Sequence, residues 1–283
     1  MEFVLDVLSY ALILALVAVG LAVIFGLLRV INMAHGEFLM LGAYTVVLAT
    51  SLGAPFWLAI AAAPIVLGAL GWLVEFLLIR RVAGRPLDGI LATWGLAILL
   101  RQGVVLWFGP ASRNVDAPVM ADVMVAGVLY PQYRLLVMAI AAVVLLGVLL
   151  LFAGTRFGLY ARAAIARPDI VAALGVNVRS VAARSFVLGA ALAGLAGALI
   201  APLISVDPQL GLGYLTPAFL AVLVGGGGSL FGVAVGAGVI GAADTLFGQQ
   251  FSSLWAQVAV LLLAIVLIRL RPSGLVRGRG VEQ

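Results

Sequence analysis

The sequence predicts an all-α, polytopic transmembrane bundle forming a single membrane domain over residues 1–283. Three observations carry that reading. Hydrophobic residues make up 65% of the chain and charged residues 10%, with a mean hydropathy of +1.28; a soluble domain carries roughly a quarter charged residues. The apolar runs are separated by short polar loops and lack the period-two alternation of a transmembrane barrel. The 34 glycines suit helices that approach closely or break. With no cysteine there is neither a disulfide framework nor thiol chemistry. The net charge of +5 comes from a chain whose sixteen basic residues are all arginines. They lie beside membrane segments, so nucleic acid is not an expected partner.

In chain order, the expected segments are 5–28, 37–50, 57–79, 90–108, 134–152, 185–204, 214–224, 230–247 and 254–268. That makes about eight or nine crossings at roughly twenty apolar residues each. No arginine precedes Arg29, so 5–28 lacks the basic region of a cleaved signal peptide and reads as a retained helix. The short segments 37–50 and 214–224 each lie beside a polar, glycine-bearing break. The early break is Ile31-Asn32-Met33-Ala34-His35-Gly36-Glu37 and holds the only histidine. The late one is Gly225 to Ser229. Two discontinuous, glycine-broken helices follow, at comparable places in two pseudo-symmetric halves. Polar groups near hydrocarbon are costly and are kept for function.

Glu75 is expected to pair with Arg80 about one turn later. The loop 109–132, with Asp116, Asp122 and Pro131, suggests an ordered cap. Asp207 reads as a turn acid.

The arginines set the orientation. With residues 80–88 cytoplasmic, alternation puts on that side Arg29; Arg80, Arg81 and Arg85; Arg156, Arg162, Arg167, Arg179 and Arg184; and Arg269, Arg271, Arg277 and Arg279. These are thirteen of the sixteen. The positive-inside rule then places the N-terminus outside and the C-terminal tail, 269–283, in the cytoplasm.

The longest inner stretch, 154–184, contains a short helix opened by Pro168 and Asp169 and ended at Gly175. Its apolar residues Ile170, Val171, Ala173 and Leu174 suit a docking element for a soluble partner. The alternative is a basic loop resting on anionic headgroups.

Phe25 to Glu37, then Leu41-Gly42-Ala43-Tyr44, resembles the motif of permease subunits of ABC importers in the branched-chain amino acid and urea group. Arg162-Ala163, Asp169 and Ala172-Ala173-Leu174-Gly175-Val176 look like that family's coupling loop. Residues 223–232 are similar to its late glycine-rich break, and Arg271-Pro272-Ser273-Gly274-Leu275 resembles its C-terminal signature. The likeness runs from about residue 10 to residue 276. Gly84-Arg85-Pro86-Leu87-Asp88, Leu91 to Leu96 and the methionine at Met33 are closer to the urea and short-chain amide branch than to the amino-acid branch.

The resemblance implies a multi-pass protein of the bacterial cytoplasmic (inner) membrane. It would work with ATP-binding cassette subunits, a second permease subunit (most simply a heterodimer) and an external substrate-binding protein. The chain shows no phosphate-binding loop motif and contains no lysine, so ATP chemistry falls to a partner. No enzyme activity, cofactor or metal is expected. An intramembrane enzyme needs a nucleophile–base set, for which one histidine and no cysteine are a poor start. A stand-alone channel for urea or amides is the rival transporter, and it has no use for a docking loop.

The expected translocation path is lined by Asn32, His35, Glu37, Tyr44, Thr93, Trp94, Gly225, Gly226 and Ser229. Backbone groups freed at the breaks would face a water-filled cavity. Arg162, Asp169, Leu174 and Gly175 are expected to couple to the ATPase.

Each path residue has a plainer reading. Asn32 caps a half-helix, His35 is a packed histidine bonded to backbone, and Glu37 is a capping acid. Thr93 and Trp94 pack on a helix face, although Trp94 suits stacking on a planar amide. Arg101 pairs with an acid inside the bundle, reaches the outer interface, or binds an anionic group; a carboxylate-bearing solute would want such a cation and neutral urea would not.

Overall fold

The structure, a computed structural model, describes residues 1–28, 32–82, 84–251, 253–272 and 274–276. Among these are eleven helices and one hairpin. In order they are α1 (Glu2–Leu28), α2 (His35–Ser51), α3 (Phe56–Val82), α4 (Pro86–Phe108), the strands β1 (Asp122–Val125) and β2 (Val128–Pro131), α5 (Gln132–Gly154), α6 (Arg156–Ala166), α7 (Pro168–Ala173), α8 (Val178–Ile200), α9 (Leu210–Gly225), α10 (Leu230–Gln250) and α11 (Ser253–Leu270). Arg29 to Ile31 of the early motif, Ser273 of the C-terminal signature, and the tail 277–283 with Arg277 and Arg279 lie outside the described residues.

α1 is the axis of the bundle. Leu14, Leu16, Val17, Ala18 and Val19 have no exposed surface. A helix apolar on every side must be buried on every side, and α1 is enclosed by α8, α9, α10 and α5. The outer helices keep bare apolar faces, such as Ile65 on α3, Leu99 on α4 and Val143 on α5. These suit lipid or another subunit.

Six helices, α1, α3, α4, α5, α8 and α10, are long and apolar enough to cross a membrane by length and composition. Every segment expected from the sequence falls within a helix, except that 185–204 runs past the end of α8 into a turn. The count of eight or nine crossings nevertheless exceeds six. α9 and the apolar part of α11 are shorter, and α2 has 17 residues.

The polar stretch 154–184 is not a loop throughout. It holds α6, capped by Thr155 Oγ1 accepting from Gly158 N at 3.2 Å, then α7, then the first two turns of α8. α7 begins with proline at its first position and stops before Gly175, whose φ is +84°, as the Pro–Gly punctuation predicts.

Glu75 does pair with Arg80, at 3.2 Å, but across a π turn, Glu75–Ile79, that brings residues five apart into reach.

The expected cap is present. β1 and β2 form an antiparallel hairpin, and Arg113 and Val206 exchange backbone hydrogen bonds of 2.8 Å. Arg134 donates to Asp6 at 2.5 Å and Tyr130 donates to Asp6 at 3.1 Å. Burial pushes the Tyr130 phenol above its ordinary value, so it remains a donor across the neutral range. One end of the bundle therefore gathers the start of α1, the hairpin and the 203–209 turn.

Candidate functional site

The described part of the early break, 32–37, lies beside α1, and α2 starts level with the middle of that helix. His35 Nε2 donates to the Val17 carbonyl at 3.0 Å, and its ring sits beside Gly20. Asn32 closes the turn that allows this: its Oδ1 accepts from Ala34 N at 3.1 Å, and its carbonyl accepts from His35 N at 3.2 Å. The helix cap itself is Ala34, which has no side chain to offer, so Asn32 organises the turn two residues earlier.

At this point the start of α2 meets the start of α9 backbone to backbone. A Cβ on Gly36 would lie 2.3 Å from the Gly211 carbonyl oxygen, so both positions require glycine.

α4 grips the break at two points. Thr93 Oγ1 accepts from Met33 N at 3.2 Å and donates to Gly89 O at 2.9 Å. Two turns along the same face, Arg101 donates to the carboxylate of Glu37. The Glu37 side chain is 2% exposed and that of Arg101 24%. Of the readings open to Arg101, pairing with an acid inside the bundle is the one observed. Glu37 is its counter-ion, and it also lies in the first turn of α2, where an acid suits the positive end of the helix dipole. The available signal was the eight-residue spacing from Thr93 to Arg101, which puts both on one face with Ala97 between them.

Asn32, His35 and Glu37 thus lie along one short stretch, bonded to α1 through His35 and to α4 through Thr93 and Arg101. All but Arg101 are almost wholly buried. Among the described residues, Asn32 Nδ2, His35 Nδ1, Glu37 Oε2 and Arg101 Nε have no hydrogen-bond partner. A buried polar atom left unmatched costs about 1–3 kcal/mol, so these four atoms single this stretch out as the candidate site.

Other expected residues lie elsewhere. Tyr44 lies just past the middle of α2, its ring centroid 4.9 Å from that of Phe108 and its hydroxyl without a partner among the described residues. Trp94 is 58% exposed and turned away from the buried face that carries Thr93.

Gly225, Gly226 and Ser229 form a separate break near the end of α1, where Gly227 approaches Phe25. The two breaks therefore sit at different depths along α1 and not at matching ones. Ser229 caps α10 by accepting from Gly232 N at 3.1 Å. The freed carbonyls of α9 do not open into a cavity as expected. The Val224 carbonyl accepts from Leu275 N at 2.9 Å and the Gly225 carbonyl from Val276 N at 3.4 Å. The chain after α11 thus closes this break, a role for the C-terminal motif that sequence reasoning missed.

Among the proposed coupling residues, Arg162 and Asp169 are exposed on α6 and α7. Ile170 and Leu174, 53% and 77% exposed, make an apolar pair one turn apart, while Val171 anchors α7 to the bundle.

With this geometry in place, comparison with known proteins is informative. The family profile described as "Branched-chain amino acid transport system / permease component" matches residues 3–269. The high-affinity branched-chain amino acid transport system permease protein BraD of Pseudomonas aeruginosa is 30% identical, over 95% of this chain and 93% of its own. The corresponding LivH of Escherichia coli K12 is 29% identical over 95% and 92%. A probable LivH of Methanocaldococcus jannaschii is 26% identical over 94% and 89%. Among solved structures, PsaBC from Streptococcus pneumoniae in complex with Fab has a similar fold, with a TM-score of 0.52 at 17% identity over 95% of this chain and 91% of that one.

Proposed function

We infer the function from one premise, that this chain belongs to the permease family of branched-chain amino acid ABC importers. It is a multi-pass membrane permease subunit and not an enzyme. We propose that it carries a small aliphatic amino acid, with the cluster Asn32–His35–Glu37–Arg101 forming part of the wall that the solute passes.

The unmatched buried atoms of that cluster carry the reading. The names of the relatives support the amino-acid substrate, and the urea reading of Met33 and residues 84–88 gains nothing from them. Arg101 no longer discriminates between solutes, because its charge is taken up by Glu37.

In this proposal α6 and α7 dock on the ATPase through Ile170 and Leu174. A second permease subunit covers part of the bare outer faces, and the external binding protein delivers solute at the hairpin end. Gly225, Gly226 and Ser229 hold the end of α9 against the start of α10.

Reconstitution with the cognate ATPases and binding protein tests it. ATP-dependent leucine uptake without urea uptake is expected. Urea uptake in preference to leucine would restore the amide reading, and uptake without ATP or partners would remove the importer reading. Leu174→Asp should lower ATP-driven uptake about tenfold or more, as expected from losing about 1–2 kcal/mol at a docking contact, with thermal stability unchanged. Wild-type uptake in that variant would place docking elsewhere.

A further inference from the structure

α3 and α8 pack closely where Gly68 and Gly71 of α3 meet Val187 and Ala190 of α8. One turn further toward the arginine-rich end the two helices part. The gap is a cavity of about 570 Å³ whose rim carries Arg80, Arg179 and Arg184, with Ser180 and the exposed Trp72 in its wall. Among the described residues no acid lines it. Glu75, one turn before Arg80 on α3, is buried and already bonded to that arginine. The cavity therefore concentrates positive charge with donors in excess of acceptors.

Its position argues for the occupant. The cavity shares Trp72 with the bare face of α3, where Trp72, Leu73, Phe76 and Leu77 are each 43–54% exposed. Trp72 marks the level of a membrane interface, where an indole has one apolar and one wet side. A guanidinium cluster directly beside an apolar, membrane-facing stripe matches one chemistry, a phosphate with hydrocarbon attached. Basic pockets between membrane helices are known headgroup sites, and planar guanidinium forks suit phosphate oxygens.

We propose that the α3–α8 cavity is a binding site for an anionic phospholipid, with its phosphate held by Arg179 and Arg184 beside Arg80 and its acyl chains along Trp72 and Leu77. The Arg80–Glu75 pair fixes one wall. Arg179 and Arg184 are exposed, so they are available to the headgroup and removable without disturbing the core. The lipid then bridges the end of α3 to the first turns of α8, the helix that follows the proposed coupling element.

The purified full chain in detergent, titrated with phosphatidylglycerol and read by native mass spectrometry and by melting temperature, tests the site. Retained phosphatidylglycerol and a raised melting temperature are expected, with neither from phosphatidylcholine. In Arg179→Gln/Arg184→Gln the affinity should fall roughly tenfold or more, as expected from losing charge-assisted hydrogen bonds. Arg156→Gln/Arg167→Gln, which removes two exposed arginines outside the cavity, should bind as wild type. Equal losses in both double variants would mean generic attraction and overturn the proposal. So would inorganic phosphate reproducing the full stabilisation, which would make this a free-anion site. Displacement of bound lipid when the ATPase is added would overturn it in favour of an acidic protein surface.

Discussion

At the scale of the residue, the Glu37–Arg101 pair decides how the early break is held. Taking either charge away strands the other in a poorly solvated place, and breaking a buried pair costs about 3–5 kcal/mol, toward the lower end here because Arg101 is a quarter exposed. Glu37→Gln should therefore lower the melting temperature of the purified protein as well as uptake. Glu37→Gln/Arg101→Gln should recover stability relative to either single change. If Glu37→Gln melts like wild type while uptake collapses, the carboxylate serves the solute and not the fold. Asn32, His35 and Glu37 were legible in the sequence as polar outliers among apolar runs, and so was the backbone-bonded reading of His35. Their partners were not. Val17 and Arg101 lie 18 and 64 residues away, and one sequence holds no record of such contacts.

At the scale of the element, close backbone approach sets the architecture. α2 and α8 cross so tightly that a Cβ on Gly42 would lie 2.1 Å from the Gly194 carbonyl oxygen, and one on Gly197 only 1.8 Å from that of Leu39. Gly103, on the open side of α4, has nothing within 4 Å. The two kinds of glycine should respond oppositely to alanine. Gly42→Ala forces two helices apart and should destabilise by about 1–3 kcal/mol. Gly103→Ala should be neutral or stabilising by up to about 1 kcal/mol, because alanine is the better helix former. Melting curves of the two variants check this, and a tolerated Gly42→Ala would mean the crossing is looser than described. Composition predicted that glycine would matter here, but not which glycines, since the partner backbone comes from a distant segment. Local punctuation was easier to read. Pro168 and Gly175 delimited α7, whereas α6 passed as a loop because its arginines hid an amphipathic helix.

At the scale of the molecule, the two ends of the bundle differ in what they carry. One end carries the start of α1, the β1–β2 hairpin and the 203–209 turn, tied together by Asp6, Arg134 and Arg113. The other carries α6, α7 and most of the arginines. The polytopic helical class was legible because hydropathy is a property of each segment alone. The depth of the breaks was not, because depth belongs to packing against α1. The positive-inside bias predicts that the hairpin end faces outward and the α6–α7 end faces the cytoplasm. The natural chain has no cysteine, so a single introduced one reports its side of the membrane without background. Ser112→Cys, on the exposed loop before the hairpin, should react with a membrane-impermeant maleimide in intact spheroplasts. Ala166→Cys, exposed at the end of α6, should react only in inverted vesicles. The reverse pattern would put α7 and Leu174 on the side where no ATPase can reach them, and the importer reading of that element would fail with it.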